Sequence, residues 1–241
     1  WQATDEPGST GRFFLTLSNG VSTPPTSPLL LKTIDSGATF ATAGTGLPNA
    51  RFYGIAIESG SPNRLLAGVE YTDTGSSPVL YRSLDGGTTW SAVGPNASYS
   101  YDISFGAGTF PNRTVYASID GMLHKSVDSG STWTATTREA MQVLAHPSLS
   151  ATVFFSDETL SVGPQVSNDS GATATVITSG LTSNPTYTDL SGKAAIVQPF
   201  MFNFSPGFPA PGTAIWLSTQ GDGLFRSIDG GTTWASSHVG M

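Results

Sequence analysis

Ser83-Leu84-Asp85-Gly86-Gly87-Thr88-Thr89-Trp90 returns near the end of the chain as Ser227-Ile228-Asp229-Gly230-Gly231-Thr232-Thr233-Trp234. Three looser copies complete the set. They run from Thr33 to Phe40, from Ser126 to Trp133 and from Ser167 to Ala174. Each eight-residue box places Ser/Thr, Asp, Gly and Thr at fixed offsets, and four of the five end on an aromatic residue. The box aspartates, Asp35, Asp85, Asp128, Asp169 and Asp229, are spaced 50, 43, 41 and 60 residues apart. A period in the forties with Gly, Pro and Asn punctuation is the sequence signature of propeller blades.

Each unit reads as four short strands, with alternating or continuous apolar runs between turn residues. The second unit predicts strands over 52–57, 64–70, 79–83 and 89–93, and the third over 101–105, 114–119, 122–126 and 132–136. The fourth predicts 141–146, 152–157, 164–167 and 173–178, and the fifth 195–204, 213–219, 224–227 and 233–236. Blade one is short before its second strand, so residues 1–4 have to supply its first strand. The expectation is an all-β fold, a β-propeller of four-stranded antiparallel blades. Residues 1–241 form one domain, with blades over roughly 1–46, 47–95, 96–138, 139–180 and 181–241. The five visible blades make either a closed ring or part of a larger propeller.

The box falls between strands three and four, where the chain must reverse. Gly37, Gly87, Gly130, Gly171 and Gly231 accept positive φ without a Cβ clash. The Asp carboxylate accepts hydrogen bonds from nearby N–H groups and locks the turn. Trp90, Trp133 and Trp234 supply apolar surface for a neighbouring blade. The phrase resembles the Asp-box, or BNR, motif. The chain is thereby similar to Asp-box β-propellers, a group that includes sialidases, xyloglucan-hydrolysing glycosidases, sortilin-type receptors, a photosystem II assembly factor and some lectins. That resemblance implies that the boxes lie on the outer rim, away from any active centre, and that their residues are structural.

Composition narrows the partners. A formal charge of −7 argues against nucleic acid, which needs a basic face. No apolar run approaches the roughly 20 residues of a membrane span, and no stretch reads as a signal peptide. Cysteine is absent, so disulfides and thiolate metal sites are excluded. The Ser/Thr/Gly/Asn-rich surface and four sequons, at Asn96, Asn112, Asn168 and Asn203, point to an extracellular or cell-surface glycoprotein.

In such a blade the two-to-three loops and the connections to the next blade share one face, where propellers hold ligands. Glu70, Asp73, Asp120, Asp157, Glu158 and Asp222 fall there. Paired carboxylates can catalyse glycoside cleavage or hold Ca²⁺ through oxygen ligands. Asp120-Gly121 and Asp222-Gly223 also read as ordinary hairpin turns. Tyr99 and Tyr101 sit on the same face as candidates for stacking on sugar rings, with the insertion over 182–193 beside them as a lid or partner surface. Phe200, Phe202 and Phe204 alternate as core residues, whereas Phe208, between prolines, is expected at the surface as a further ligand contact.

Sialidases carry an arginine triad and an early Arg-Ile-Pro. Here no Arg-Ile-Pro occurs, and only Arg51 and Arg138 stand outside the repeated slots. Xyloglucan hydrolases pair two propellers, for which the chain has no room. His124, His146 and His238 lack the spacing of a metal or nucleophile site. These readings favour a non-enzymatic module that binds a glycan or protein on the two-to-three loop face, within a larger chain or assembly. The alternatives are a glycoside-hydrolase propeller, or a piece of one, and a receptor or assembly-factor propeller.

Overall fold

The repeat builds a β-propeller. The computed structural model describes residues 2–5, 11–17, 25–61, 63–70, 77–157, 163–181, 199–205, 207–210, 212–219 and 223–237. Their strands form five four-stranded sheets, each antiparallel and paired in chain order. The first sheet comprises Gln2–Asp5, Phe13–Thr16, Leu30–Thr33 and Ala41–Thr42, and the second Phe52–Ile57, Leu65–Val69, Leu80–Ser83 and Ser91–Ala92. The third comprises Ser100–Phe105, Val115–Ile119, Met122–Ser126 and Thr134–Glu139, and the fourth Gln142–Ala145, Val153–Ser156, Gln165–Ser167 and Thr175–Val176. The fifth comprises Pro199–Phe204, Ile215–Thr219, Gly223–Ser227 and Ala235–Ser236. The first strand of each blade packs on the first strand of the next, so these strands line the axis. One further pair, Ser77–Pro78 with Asn96–Ala97, was not legible in the sequence.

Blades stack face to face, and burial follows from that. Leu65–Val69, Val115–Ile119 and Val153–Ser156 are buried at every position, because a neighbouring blade covers each of their faces. Such strands read as continuous apolar runs, not alternating ones. The short fourth strands of blades one, two, four and five are exposed at the rim, where little apolar surface can be covered.

The box repeats one hydrogen-bond network five times. The Ser/Thr hydroxyl donates to Asp Oδ1 at 2.7–2.8 Å and accepts the N–H of the second following Gly position at 2.8–3.0 Å. Asp Oδ1 then accepts the N–H of the Thr four residues on, and Oδ2 accepts its hydroxyl at 2.6–2.7 Å. Two consecutive residues after the Asp take positive φ, as at Ser129 (56°) and Gly130 (80°).

The box glycine meets a second constraint, from the preceding blade. A Cβ on Gly87 would lie 2.9 Å from Phe14, one on Gly130 2.8 Å from Leu66, one on Gly171 3.0 Å from Leu123, and one on Gly231 3.1 Å from Phe154. A bulky side chain of one blade thus fills the space above the glycine of the next. Beside it, the residue before the box Ser/Thr reaches forward to the residue after the next Asp. Lys32 Nζ donates to Gly86 O at 2.7 Å, Arg82 to Ser129 O and Ser131 Oγ, and Lys125 Nζ to Ser170 Oγ at 2.7 Å. In blade four the slot holds Val166, which packs on the apolar cluster shared with blade five. Trp90 and Trp234 point backward instead, donating their indole N–H to Ala43 O and Ile177 O of the blade before.

Two outcomes test this joint. Gly130→Ala combines left-handed strain with the clash on Leu66, while Gly60→Ala, at φ 76° with open space around it, meets strain alone. Each strained φ costs of order 1–3 kcal/mol and overpacking about as much again, so urea unfolding should show Gly130→Ala the more damaging by roughly 1–3 kcal/mol. The carboxyls of Asp35, Asp169 and Asp229 are held at about 2, first by the hydroxyls and then the N–H groups of Thr39, Thr173 and Thr233. Asp85 is held at about 2 by the N–H and hydroxyl of Thr89. A folded pKa below the ordinary 3.8 contributes stability that is full above that value and lost as pH falls through the folded pKa. The urea midpoint is therefore expected to drop between about pH 4 and pH 2, and to drop less in Asp169→Asn.

Candidate functional site

Four successive first strands enclose a cavity of about 330 Å³ on the axis, lined by Tyr53, Tyr101–Ser104, Gln142–Leu144 and Met201–Asn203. Tyr53, Tyr101 and Gln142 stand at the starts of their strands, which places this mouth on the face of the two-to-three loops. The boxes occupy the other end, where Ser36, Gly86, Ser129 and Ser170 donate their N–H groups to the one-to-two loops.

Local irregularity aims these side chains. Register slips between Phe52 and Gly54, between Ser100 and Ile103, and between Pro199 and Met201, at the same place in three first strands. A bulge of this kind redirects side chains, as it often does beside binding sites. Tyr53 lies in one bulge, and Tyr101 and Asp102 occupy another, so two sequence neighbours both reach the cavity. The rings of Tyr53 and Tyr101 stack at 4.0 Å and 19°, and Tyr99 meets Tyr101 edge-on at 5.9 Å. Burial, and then a side-chain hydrogen bond with Tyr101, raise the Tyr53 hydroxyl well above the usual phenol range. Arg51 and Glu70 close the rim as an ion pair at 3.5 Å, and the Glu70 N–H donates to Arg51 O.

Asp102 is the carboxyl among the described residues that line the cavity. Its oxygens accept the N–H groups of Ile103 and of Val143 on blade four, each at 2.9 Å. Ser104 repeats the clasp by accepting the Ala145 N–H at 3.0 Å. These side chains join two first strands that share no backbone ladder. Desolvation outweighs both hydrogen bonds and raises the Asp102 carboxyl to about 6.

The sequence candidates separate in space. Tyr99 and Tyr101 lie at the mouth, and Glu70 on its rim. Asp120, at φ 48°, accepts the Ser98 and Tyr99 N–H groups at 2.9 and 3.0 Å, and so fixes the approach to Tyr101. Asp157 is buried, at 5% exposure. Asp73, Glu158, Asp222, Phe200's side chain and the insertion over 182–193 lie outside the described residues. Phe208, expected at the surface, instead stacks on Phe204 at 4.2 Å and meets His146 at 5.2 Å. It sits in a one-to-two loop at the box end, because a ring flanked by prolines finds apolar cover there. Asn96, Asn112, Asn168 and Asn203 are exposed.

Tyr53, Asp102, Arg51 and Gln142 were missed as a site. Their signal was register, since Tyr53 and Tyr101 hold the second position of consecutive first strands. A groove of about 600 Å³ at the outer rim, between the long Thr134–Glu139 strand and the fourth box, contains the Lys125–Ser170 clasp. Among the described residues, no three His, Cys, Asp or Glu side chains gather as a metal site. Nor is any helix there long and apolar enough to cross a membrane.

Among solved structures the chain is similar to an ancestral GH74 enzyme, with a TM-score of 0.59 and 15% identity over 93% of this chain and 36% of that one. The GH74 enzyme of Niastella koreensis matches with a TM-score of 0.59 and 18% identity, over 96% of this chain and 30% of that one. The GH74 xyloglucanase from Xanthomonas campestris gives 0.56 and 18%, over 93% and 30%. These likenesses share the propeller fold, and the chain spans about a third of each relative's length. No family model and no curated protein matches the chain.

Asp102 supplies a direct check. Its folded pKa lies above the ordinary 3.8, so its protonated form stabilises the fold at low pH and that contribution is lost as pH rises toward 6. Carbon-13 NMR of the aspartate carboxyls should show one resonance, absent in Asp102→Asn, with a midpoint near 6.

Proposed function

We propose that this chain is an Asp-box propeller module that binds a glycan outside the cell, at the axial mouth formed by Tyr53, Tyr101 and Asp102. The observation that carries this reading is the bulge-set tyrosine cluster, flanked by the Arg51–Glu70 pair and opening on a cavity of about 330 Å³. Flat rings offer apolar faces to the C–H surface of a sugar, while phenol, guanidinium, carboxyl and amide groups match its hydroxyls. The volume is in the ~300–1,000 Å³ range of small-ligand sites. Exposed sequons and the acidic surface support an extracellular setting.

Asp102 favours one second reading, a glycoside-hydrolase propeller or a piece of one. A carboxyl raised to about 6 has the protonation behaviour of a general acid. Hydrolysis takes a pair of carboxyls, and the described residues lining the cavity include one. Both Asp102 oxygens are also committed to backbone N–H groups, which suits a positioning role better.

A glycan array followed by calorimetry on the best ligand tests both. Binding should weaken about tenfold, or ~1.4 kcal/mol, in Tyr53→Ala and in Tyr101→Ala. Binding to no glycan, or undiminished binding by both variants, would overturn the proposal. Hydrolysis of the bound glycan that disappears in Asp102→Asn would establish the second reading instead.

A further inference from the structure

At two joints the box tryptophan belongs to a seal between blades. Past the short fourth strands Ala41–Thr42 and Thr175–Val176, the chain leaves its own sheet and runs along the next box. Thr45 and Ser179, each ten residues beyond its box aspartate, accept the backbone N–H of Trp90 and of Trp234 at 2.9 Å. Ala43 and Ile177, two residues earlier, accept the indole N–H groups at 2.6 and 2.8 Å. Main chain and indole together close these joints.

The joint between blades three and four lacks both parts. Box four ends on Ala174, where the other boxes end on an aromatic ring. The fourth strand of blade three, Thr134–Glu139, does not peel away but stays paired with Met122–Ser126 as far as Glu139. Arg138 holds the position of Thr45 and Ser179, and its guanidinium crosses to Ala172 O at 2.8 Å. The Ala174 N–H meets no backbone carbonyl among the described residues. Thr136 holds the position of Ala43 and Ile177. It covers Gly171 as Ile177 covers Gly231, but with alanine at position 174 no box indole packs beside it. The outcome is the groove of about 600 Å³ between Thr134–Thr137 and Asp169–Ala172, to which Val127, Ala135 and Ala172 contribute apolar surface. Thr134–Glu139 is also the outermost strand of its sheet, so one edge of it carries no strand partner among the described residues.

We propose that this groove docks an extended segment of a partner protein that carries a tryptophan. The indole takes the place beside Thr136 that Trp90 and Trp234 take beside Ala43 and Ile177. The main chain of the segment pairs along the Thr134–Glu139 edge, as extended peptides add to an open sheet. The other joints of the chain thus specify what the occupant must supply, an extended backbone and an indole. An indole offers the large flat apolar surface such a groove can cover, together with one polar N–H. The groove lies on the outer rim, away from the axial mouth, so this contact is independent of glycan binding there.

Selection of phage-displayed random peptides on the whole chain tests this, followed by calorimetry with synthetic copies of the enriched peptides. These peptides are expected to share a tryptophan, and its replacement by alanine should weaken binding about thirtyfold, as for a buried anchor at an interface. Ala174→Trp supplies the missing indole from within the chain, and Ala135→Arg obstructs the groove from an exposed position. Both variants should lose the peptides, while Tyr53→Ala at the axial mouth should keep them. Should Ala174→Trp fail to fold, Ala135→Arg decides alone. In amide NMR spectra the bound peptide should shift the resonances of residues 134–137 and of Ala174. Enrichment of no peptide, enriched peptides without a shared tryptophan, or binding that survives Ala135→Arg would overturn the proposal. Free indole binding as tightly as the peptides would also overturn it, and would assign the groove to a small aromatic molecule.

Discussion

The joint at the box glycine is the interaction on which this propeller depends. A left-handed glycine lets the turn close tightly and leaves a hollow where a Cβ would stand. A ring or branched side chain of the preceding blade fills that hollow. The turn without the neighbour leaves apolar surface wet, and the neighbour without the turn has nothing flat to rest on. Repetition of this contact sets the spacing of the blades and, through it, which side chains meet on the axis.

The hydrogen bonds of the box serve that contact. Its Asp and Ser/Thr groups satisfy each other and the local N–H groups, so a polar turn can sit against an apolar strand with its donors occupied. The forward cation then ties the turn to the sheet before it. Where the slot holds Val166 instead, apolar packing takes over, and Gly230, the residue a cation would reach, is exposed.

The axis follows different rules. First strands of adjacent blades converge without a shared ladder, so side chains such as Asp102 and Ser104 accept the N–H groups that lack a backbone partner. That requirement draws a carboxyl into a poorly hydrated place and raises its pKa. The bulges alongside turn Tyr53, Tyr101 and Asp102 to one cavity. Structural need and the proposed ligand-binding chemistry thus fall on the same few residues.

The sequence by itself determined the all-β propeller, the position of every box and nearly every strand, because φ preference, turn capping and apolar runs are local properties repeated five times. It also located Tyr99 and Tyr101 on the face of the two-to-three loops. Only the tertiary structure decided which residues form the cavity. Tyr53 and Tyr101 are about fifty residues apart, and the bulges that aim them arise from pairing register, which no local pattern encodes. Phe208 shows the same limit: its neighbours in sequence suggest exposure, while its neighbours in space, Phe204 and His146, cover it. The second role of the box glycine likewise belongs to the assembled fold, since the side chain that occupies its missing Cβ comes from another blade.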